Sequence, residues 1–298
     1  MRLVGSCNQI AQFYVHPFSI SGLPRSAETK QYIEKFYTTF EALQEEGLDA
    51  LIITGANVAN PTLEQEPFWE PLQEVIQWAT GNVTSVLCSC LSTHALVKQL
   101  YGIDRQRMPQ KKWGVYNHRV SDPQHPLLRD INTRFDVPHS RYNAVTREQM
   151  EGAGLKILVE SEEGGVHMAV SADQLRIVYF QGHPEYHHNS LLKEYKREVF
   201  RYINGERDDY PPHPENYFNT DAAFVADQYR DAVLSAKREK RSVPEFPEAE
   251  IEWHLDNTWG DTGKAIFNNW LGLIYKLTDL DRKRPFRKDV DPNNPLNL

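Results

Sequence analysis

Short apolar runs alternate with amphipathic stretches over the first two-thirds of the chain, and this alternation restricts the fold more than any other feature of the 298 residues. Residues 12–15, 50–54, 83–89, 157–160, 167–170 and 175–180 read as buried strands. Between the early ones, residues 27–46 carry Tyr32, Phe36, Phe40 and Leu43 at helical spacing. Residues 68–80 repeat the pattern with Trp69, Leu72, Val75, Ile76 and Trp78. Such alternation predicts an α/β fold, a mainly parallel sheet flanked by helices on both faces. After Arg201 the character changes. Residues 208–214, Asp-Asp-Tyr-Pro-Pro-His-Pro, form a turn-rich break, followed by a charged helix-like stretch through Lys240. Residues 251–280 supply Trp253, Trp259, Phe267, Trp270, Leu271 and Ile274 for a closing helix, and the polar, Pro-rich tail 282–298 reads as loose. The expected organisation is one domain over 1–298, with an α/β core in 1–205 and a helical appendage, closing helix and tail in 206–298.

Composition narrows the function. The net charge is −8 and the basic residues are scattered, which argues against nucleic acid and against an anionic membrane surface as partners. Three cysteines, Cys7, Cys88 and Cys90, make a poor disulfide framework, and no apolar run approaches a membrane span. A cytoplasmic enzyme acting on small molecules is the expectation.

The stretch 85–102, SVLCSCLSTHALVKQLYG, opens as a strand and closes as a helix with Cys90 at the corner. Ligands of open α/β sheets bind beyond the carboxyl ends of strands. A sharp corner also needs small neighbours two positions either side of the nucleophile, and Cys88 and Ser92 qualify. A helix N-terminus stabilises a thiolate, which favours Cys90 over Cys88; the alternative is a pair of inert buried thiols. A second strand runs into Gly182 and presents His183-Pro184-Glu185, a base with an orienting carboxylate, unless it is a surface turn. The amides of Ala56 and Asn57, after another strand, and of Leu91 are candidate oxyanion-hole donors. No metal is expected, because the adjacent His187 and His188 point to different sides and nothing completes a ligand spacing.

These residues carry a resemblance. The segments 36–40 (FYTTF), 51–56 (LIITGA), 68–69 (FW), 100–103 (LYGI), 114–116 (GVY), 138–142 (PHSRY), 182–186 (GHPEY) and 268–270 (NNW) resemble, in order and over nearly the whole chain, those of the homoserine O-acyltransferases of methionine biosynthesis. The resemblance implies a class I glutamine amidotransferase-like (flavodoxin-like) fold and a homodimer, the usual state of that family. It makes Cys90 the acyl-accepting nucleophile, His183 the base and Glu185 its partner, and puts Lys111, Ser140 and Arg197 at substrate-binding positions. Ala59 falls at the family's acyl-CoA selector, where a small residue accompanies succinyl transfer and a glutamate acetyl transfer. A carboxylate there would repel the distal carboxylate of succinate. Succinyl-CoA, with acetyl-CoA as the alternative, is thus a co-substrate, and no cofactor is implied. Two departures stand out. The family's initial strand and Lys-containing loop are absent, which implies a truncated start or a sheet completed differently, and Leu91 and His94 replace a common aromatic residue and glutamine. The open alternatives are serine as acceptor, a glutamine amidotransferase, and a non-catalytic binding protein.

Overall fold

In the computed structural model, which describes residues 2–8, 13–56, 58 and 60–298, seven strands make one sheet. They are β1 (Ala50–Ile53), β2 (Ser85–Ser89), β3 (Gln106–Val120), β4 (Arg134–Ala144), β5 (Lys156–Ser161), β6 (Gly165–Val170) and β7 (Ile177–Phe180). Their spatial order is β1-β2-β7-β6-β5-β3-β4. The α/β class stands, with the parallel pairing confined to β1-β2 and β2-β7; the four remaining pairs are antiparallel. The long hairpin of β3 and β4 causes this, and it is hard to read from sequence. Both strands are rich in charged residues and contain a proline, Pro109 and Pro138, and a register irregularity interrupts their pairing between Arg107 and Lys112.

Ten helices are described: α1 (Arg2–Cys7), α2 (Ala27–Phe36), α3 (Phe40–Glu46), α4 (Trp69–Asn82), α5 (Leu91–Tyr101), α6 (Arg147–Gly152), α7 (Ser190–Ile203), α8 (Thr220–Arg238), α9 (Glu248–Trp253) and α10 (Gly260–Leu277). None is long and apolar enough to cross a membrane. The helix predicted over 27–46 is two helices, because Tyr37 is extended, Thr38 bridges to Phe18, and Thr39 caps a new start by accepting from the Ala42 amide. Of the strand predicted over 12–15, Gln12 lies outside the described residues and 13–15 are irregular.

Side chains alternate across the sheet as the two-residue period requires. Val86, Cys88, Ile177 and Tyr179 face a core with α4 and α5, whereas Leu87, Val178 and Phe180 face a second core with α10. Trp270 of α10 is 1% exposed and donates its indole N–H to Ser85 Oγ at 2.8 Å. A third cluster joins Trp113 and Val115 of β3 to α7, α8 and α9, so the appendage covers the hairpin. It is stitched on by Glu215, which exchanges backbone hydrogen bonds with Trp113 and Val115 across Gly114, where a Cβ would lie 2.1 Å from the Glu215 carbonyl oxygen. The tail corrects the expectation of looseness: Phe286 is buried under Arg176, Arg287 N–H donates to the Leu277 carbonyl at 3.0 Å, and Thr84 reaches the Pro285 carbonyl.

Candidate active site

Since β2 ends at Ser89 and α5 begins at Leu91, the whole strand-to-helix turn is made at Cys90, with φ 55° and ψ −110°. Positive φ is uncommon away from glycine and persists only where the surroundings over-determine it. Here they do. The Cys90 amide donates to the Phe180 carbonyl at 2.8 Å, and Thr93 Oγ1 donates to the same oxygen at 2.7 Å. Ser92 Oγ accepts from the Ser89 amide at 2.8 Å and donates to the Ile53 carbonyl at 2.6 Å, tying the turn to β1. The bare backbone of Gly55 allows the loop after β1 to approach: a Cβ there would lie 3.4 Å from the Leu91 amide nitrogen and 3.5 Å from Cys90 Cβ. Leu91 is buried and Ala56 exposed beside it, while Asn57 and Ala59 lie outside the described residues.

Cys90 is half-buried, whereas Cys88 is fully buried and burial pushes its thiol well above the ordinary range. The more accessible of the two thiols therefore stands at the corner.

Beyond β7, Gly182 is required by its surroundings, since a Cβ would meet Val137 Cγ1 at 2.5 Å and His139 Nε2 at 2.8 Å. His183 follows, with its amide donating to the Pro138 carbonyl at 2.8 Å and its ring stacked on Tyr186 at a centroid distance of 4.2 Å. Its Nδ1 is 2.8 Å from Glu185 Oε1, and Cys90 lies near enough to act on the charge of the ring. Burial alone would lower the imidazole pKa, but the hydrogen bonds and charges of Cys90 and Glu185 outweigh it and raise the value to about 10. Glu185 is the mirror case: desolvation favours the acid, yet the His183 partner holds it below the usual carboxylate range. Cys90, His183 and Glu185 are thus brought together.

Lys111 and Ser140 meet on the hairpin wall, at a residue the sequence reading missed. Glu194 of α7 accepts from Lys111 Nζ at 3.2 Å and Ser140 Oγ at 2.6 Å with one oxygen, and from Tyr186 Oη at 2.9 Å with the other. Tyr186 is the ring that stacks on His183, so it links the two groups. Desolvation opposes ionisation of Glu194, and Lys111 with these hydrogen bonds overcomes it. Burial lowers the Lys111 pKa, with Glu194 acting against it. Arg197, one turn along α7, does not join by hydrogen bond: its side chain is 59% exposed and pairs with Glu198, although its charge reaches Lys111. The helical i, i+3 spacing from Arg197 was the available signal for Glu194.

Two other unforeseen groups touch the site. Ser89 donates to Glu185 Oε1 at 2.9 Å. Arg141 is buried and donates to the Gly164 carbonyl at 2.7 Å, the Asn143 carbonyl at 3.0 Å and His139 Nδ1 at 3.2 Å. Burial lowers its pKa to about 10 against the pull of Cys90 and Tyr116, which puts a guanidinium in electrostatic reach of the thiol. Behind Gly182, His118 and His139 are bonded Nε2 to Nε2 at 3.2 Å, and the Gly182 amide donates to His167 Nδ1 at 3.3 Å. His94 is buried against Gln181, Nε2 to Oε1 at 3.1 Å. His188 pairs with Glu252 at 2.9 Å.

Chemically, the arrangement can pair a thiol with an imidazole beside backbone amides, with a lysine and a carboxylate joined to it through Tyr186. Comparison with known proteins gives it a context. A family model described as homoserine O-succinyltransferase matches residues 1–280. The homoserine O-succinyltransferase of Methylococcus capsulatus is 59% identical over 297 residues, covering 100% of this chain and 84% of that protein. That of Nitrosococcus oceani is 56% identical over 297 residues, covering 100% of this chain and 83% of that protein. Among solved structures, a glutamine amidotransferase from Methylobacillus flagellatus matches with a TM-score of 0.48 and 17% identity, over 86% of this chain and 92% of that one.

Proposed function

The chain belongs to the homoserine O-succinyltransferase family and is an acyltransferase, and from that premise we propose that it moves a succinyl group from succinyl-CoA to the hydroxyl of L-homoserine through a covalent Cys90 intermediate. The observation that carries this reading is the imidazole of His183, held by the Glu185 carboxylate at 2.8 Å and close to a thiol at a strained helix N-terminus.

The proton accounting closes. His183, held by Glu185, takes the proton of Cys90, and the thiolate so formed lies at the α5 N-terminus with the charge of Arg141 nearby. The thiolate attacks the thioester carbonyl, and the developing oxyanion is met by backbone amides at Leu91 and the loop after β1. Collapse expels CoA, which takes the proton of His183. The thioester sulfur of the acyl-cysteine carries no charge, so one of the two groups that raise the His183 pKa is gone and the neutral ring becomes an available base. Homoserine then enters; its hydroxyl proton passes to His183 as the oxygen attacks the acyl group. Expulsion of Cys90 as thiolate releases O-succinylhomoserine and restores the starting pair.

The acceptor is an amino acid, with one carboxylate and one ammonium. The hairpin wall, joined to His183 through Tyr186, offers both complements, Lys111 with the exposed Arg197 for the carboxylate and Glu194, which also accepts from Ser140, for the ammonium. Ala59 is a small residue at the position where the resemblance puts the acyl-CoA selector, and this is the support for succinyl over acetyl as donor.

Intact mass after brief exposure to succinyl-CoA, and separately to acetyl-CoA, with peptide mapping, tests the reading. A succinyl adduct on Cys90 that homoserine discharges is the expected result. An acetyl adduct alone would reverse the donor assignment. No adduct with either donor, with CoA release checked, would remove the covalent route, and turnover of glutamine in its place would make the chain an amidotransferase.

A further inference from the structure

The orienting carboxylate of the triad has a weak point and a support. Glu185 lies in the loop after β7 with 36% of its side chain open to solvent. A carboxylate so placed is free to rotate into water, and a base whose orienter wanders loses its aim at the nucleophile. Among the described residues, two side chains donate to it: His183 Nδ1 at 2.8 Å and Ser89 Oγ at 2.9 Å, both on Oε1.

Ser89 is built to be rigid. Its side chain closes β2, the residue is 5% exposed, and its amide and carbonyl are both bonded to Ser92 Oγ, at 2.8 and 2.9 Å. It also immediately precedes Cys90, so the hydroxyl that fixes the carboxylate and the sulfur that needs the base stand on adjacent residues of one clamped turn. From this geometry we infer that Ser89 is a positioning residue, which locks Glu185 Oε1 and through it aims the His183 ring at Cys90.

The inference rests on the triad proposed above, and it makes a signed prediction. If Ser89 only drained charge from the carboxylate, its removal would make Glu185 a stronger partner and raise the His183 pKa. If it positions, removal loosens the carboxylate and lowers it. The experiment is the titration of His183 followed by NMR in protein labelled with carbon-13 at histidine Cε1, for the unaltered chain, Ser89→Ala, Ser89→Thr, Glu185→Gln and the Ser89→Ala/Glu185→Gln double variant. No acyl donor is needed, so the readout survives even if the donor or acceptor assignment fails.

The expected result is a fall of about one pH unit in Ser89→Ala, the scale of one hydrogen bond to a charged group. Ser89→Thr retains the hydroxyl and restores most of the value, and the effect of Ser89→Ala vanishes in the Glu185→Gln background. No change or a rise in Ser89→Ala, or an equal fall in the Glu185→Gln background, overturns the inference. Should Ser89→Ala fail to fold, Ser89→Cys, which keeps the volume and weakens the donor, carries the same comparison.

Discussion

The two groups of residues joined through Tyr186 are built by opposite strategies. The wall that carries Cys90 and His183 comes from the parallel half of the sheet, and backbone groups hold it: the Cys90 amide on the Phe180 carbonyl, the Ser92 hydroxyl on the Ile53 carbonyl, the His183 amide on the Pro138 carbonyl. The wall that carries Lys111, Ser140 and Glu194 comes from the antiparallel hairpin and α7, and side chains hold one another there. Bonds to backbone carbonyls, one of them reaching across to Pro138 of the hairpin, place the reacting atoms with little freedom. A network of side chains on three separate elements can be re-matched without disturbing the fold. The difference suggests a chemistry wall fixed by topology and a recognition wall open to change.

The comparison breaks most sharply at Cys90. Replacing it by alanine is expected to lower acyl transfer at least about 1,000-fold, as removal of a nucleophile does, and to abolish the covalent adduct. Cys90→Gly is expected to be as inactive yet more stable by about 1 kcal/mol in denaturant melts, since glycine relieves the positive φ of 55°. An equally active Cys90→Ala protein would remove the chemistry wall altogether.

Acid should strike the antiparallel half. Burial, then the charge of Arg141 and of neighbouring histidines, holds His139 well below the ordinary imidazole range; burial likewise holds His167 well below it, and His118 at about 4. A folded-state pKa depressed below the unfolded 6.5 means that the unfolded chain binds more protons as the pH falls. Stability is therefore full above about pH 6.5 and is lost toward pH 4, on the order of 2 kcal/mol by pH 5 for His118 alone. Thermal melts between pH 7.5 and 5 check this; a flat profile would contradict neutral burial of the cluster. His183 has the opposite sign. Its stabilising contribution is present below about pH 6.5 and is lost as the pH rises through about 10.

Glu194→Gln is the sharpest test of the division of labour. It leaves Lys111 without its counter-charge, so the KM for the acceptor is expected to rise about tenfold, while the rate of Cys90 acylation in the absence of acceptor stays within about twofold. Loss of acylation of the same size would merge the two walls into one machine. The smallest effect is expected from Arg197→Ala. With 59% of its side chain exposed, it should shift stability by less than about 0.5 kcal/mol, and any change should appear in acceptor KM and weaken in high salt.

The positions that lie at strand ends were legible in the sequence. Cys90 and His183 each follow a strand whose apolar run announces it, and Glu185 is two residues from His183, so their proximity needs no distant partner to be found. Ser89, Glu194 and Arg141 escaped because their meaning lies in pairings across 96, 54 and 23 positions, with Glu185, Ser140 and Gly164. The hairpin escaped for another reason: the appendage buries only part of it, so its strands keep charged residues and prolines that no strand pattern favours.

By itself the sequence determined the strands of the parallel half, the helices against them and the corner at which a thiol could react, because two-residue and 3.6-residue periods are local properties of the chain. Only the tertiary structure decided that the sheet continues antiparallel, that the tail packs, and that Lys111, Ser140, Tyr186 and Glu194 share one wall. Polar side chains carry no periodic signal of their partners, and burial that depends on elements far apart in the chain exists only once those elements have met.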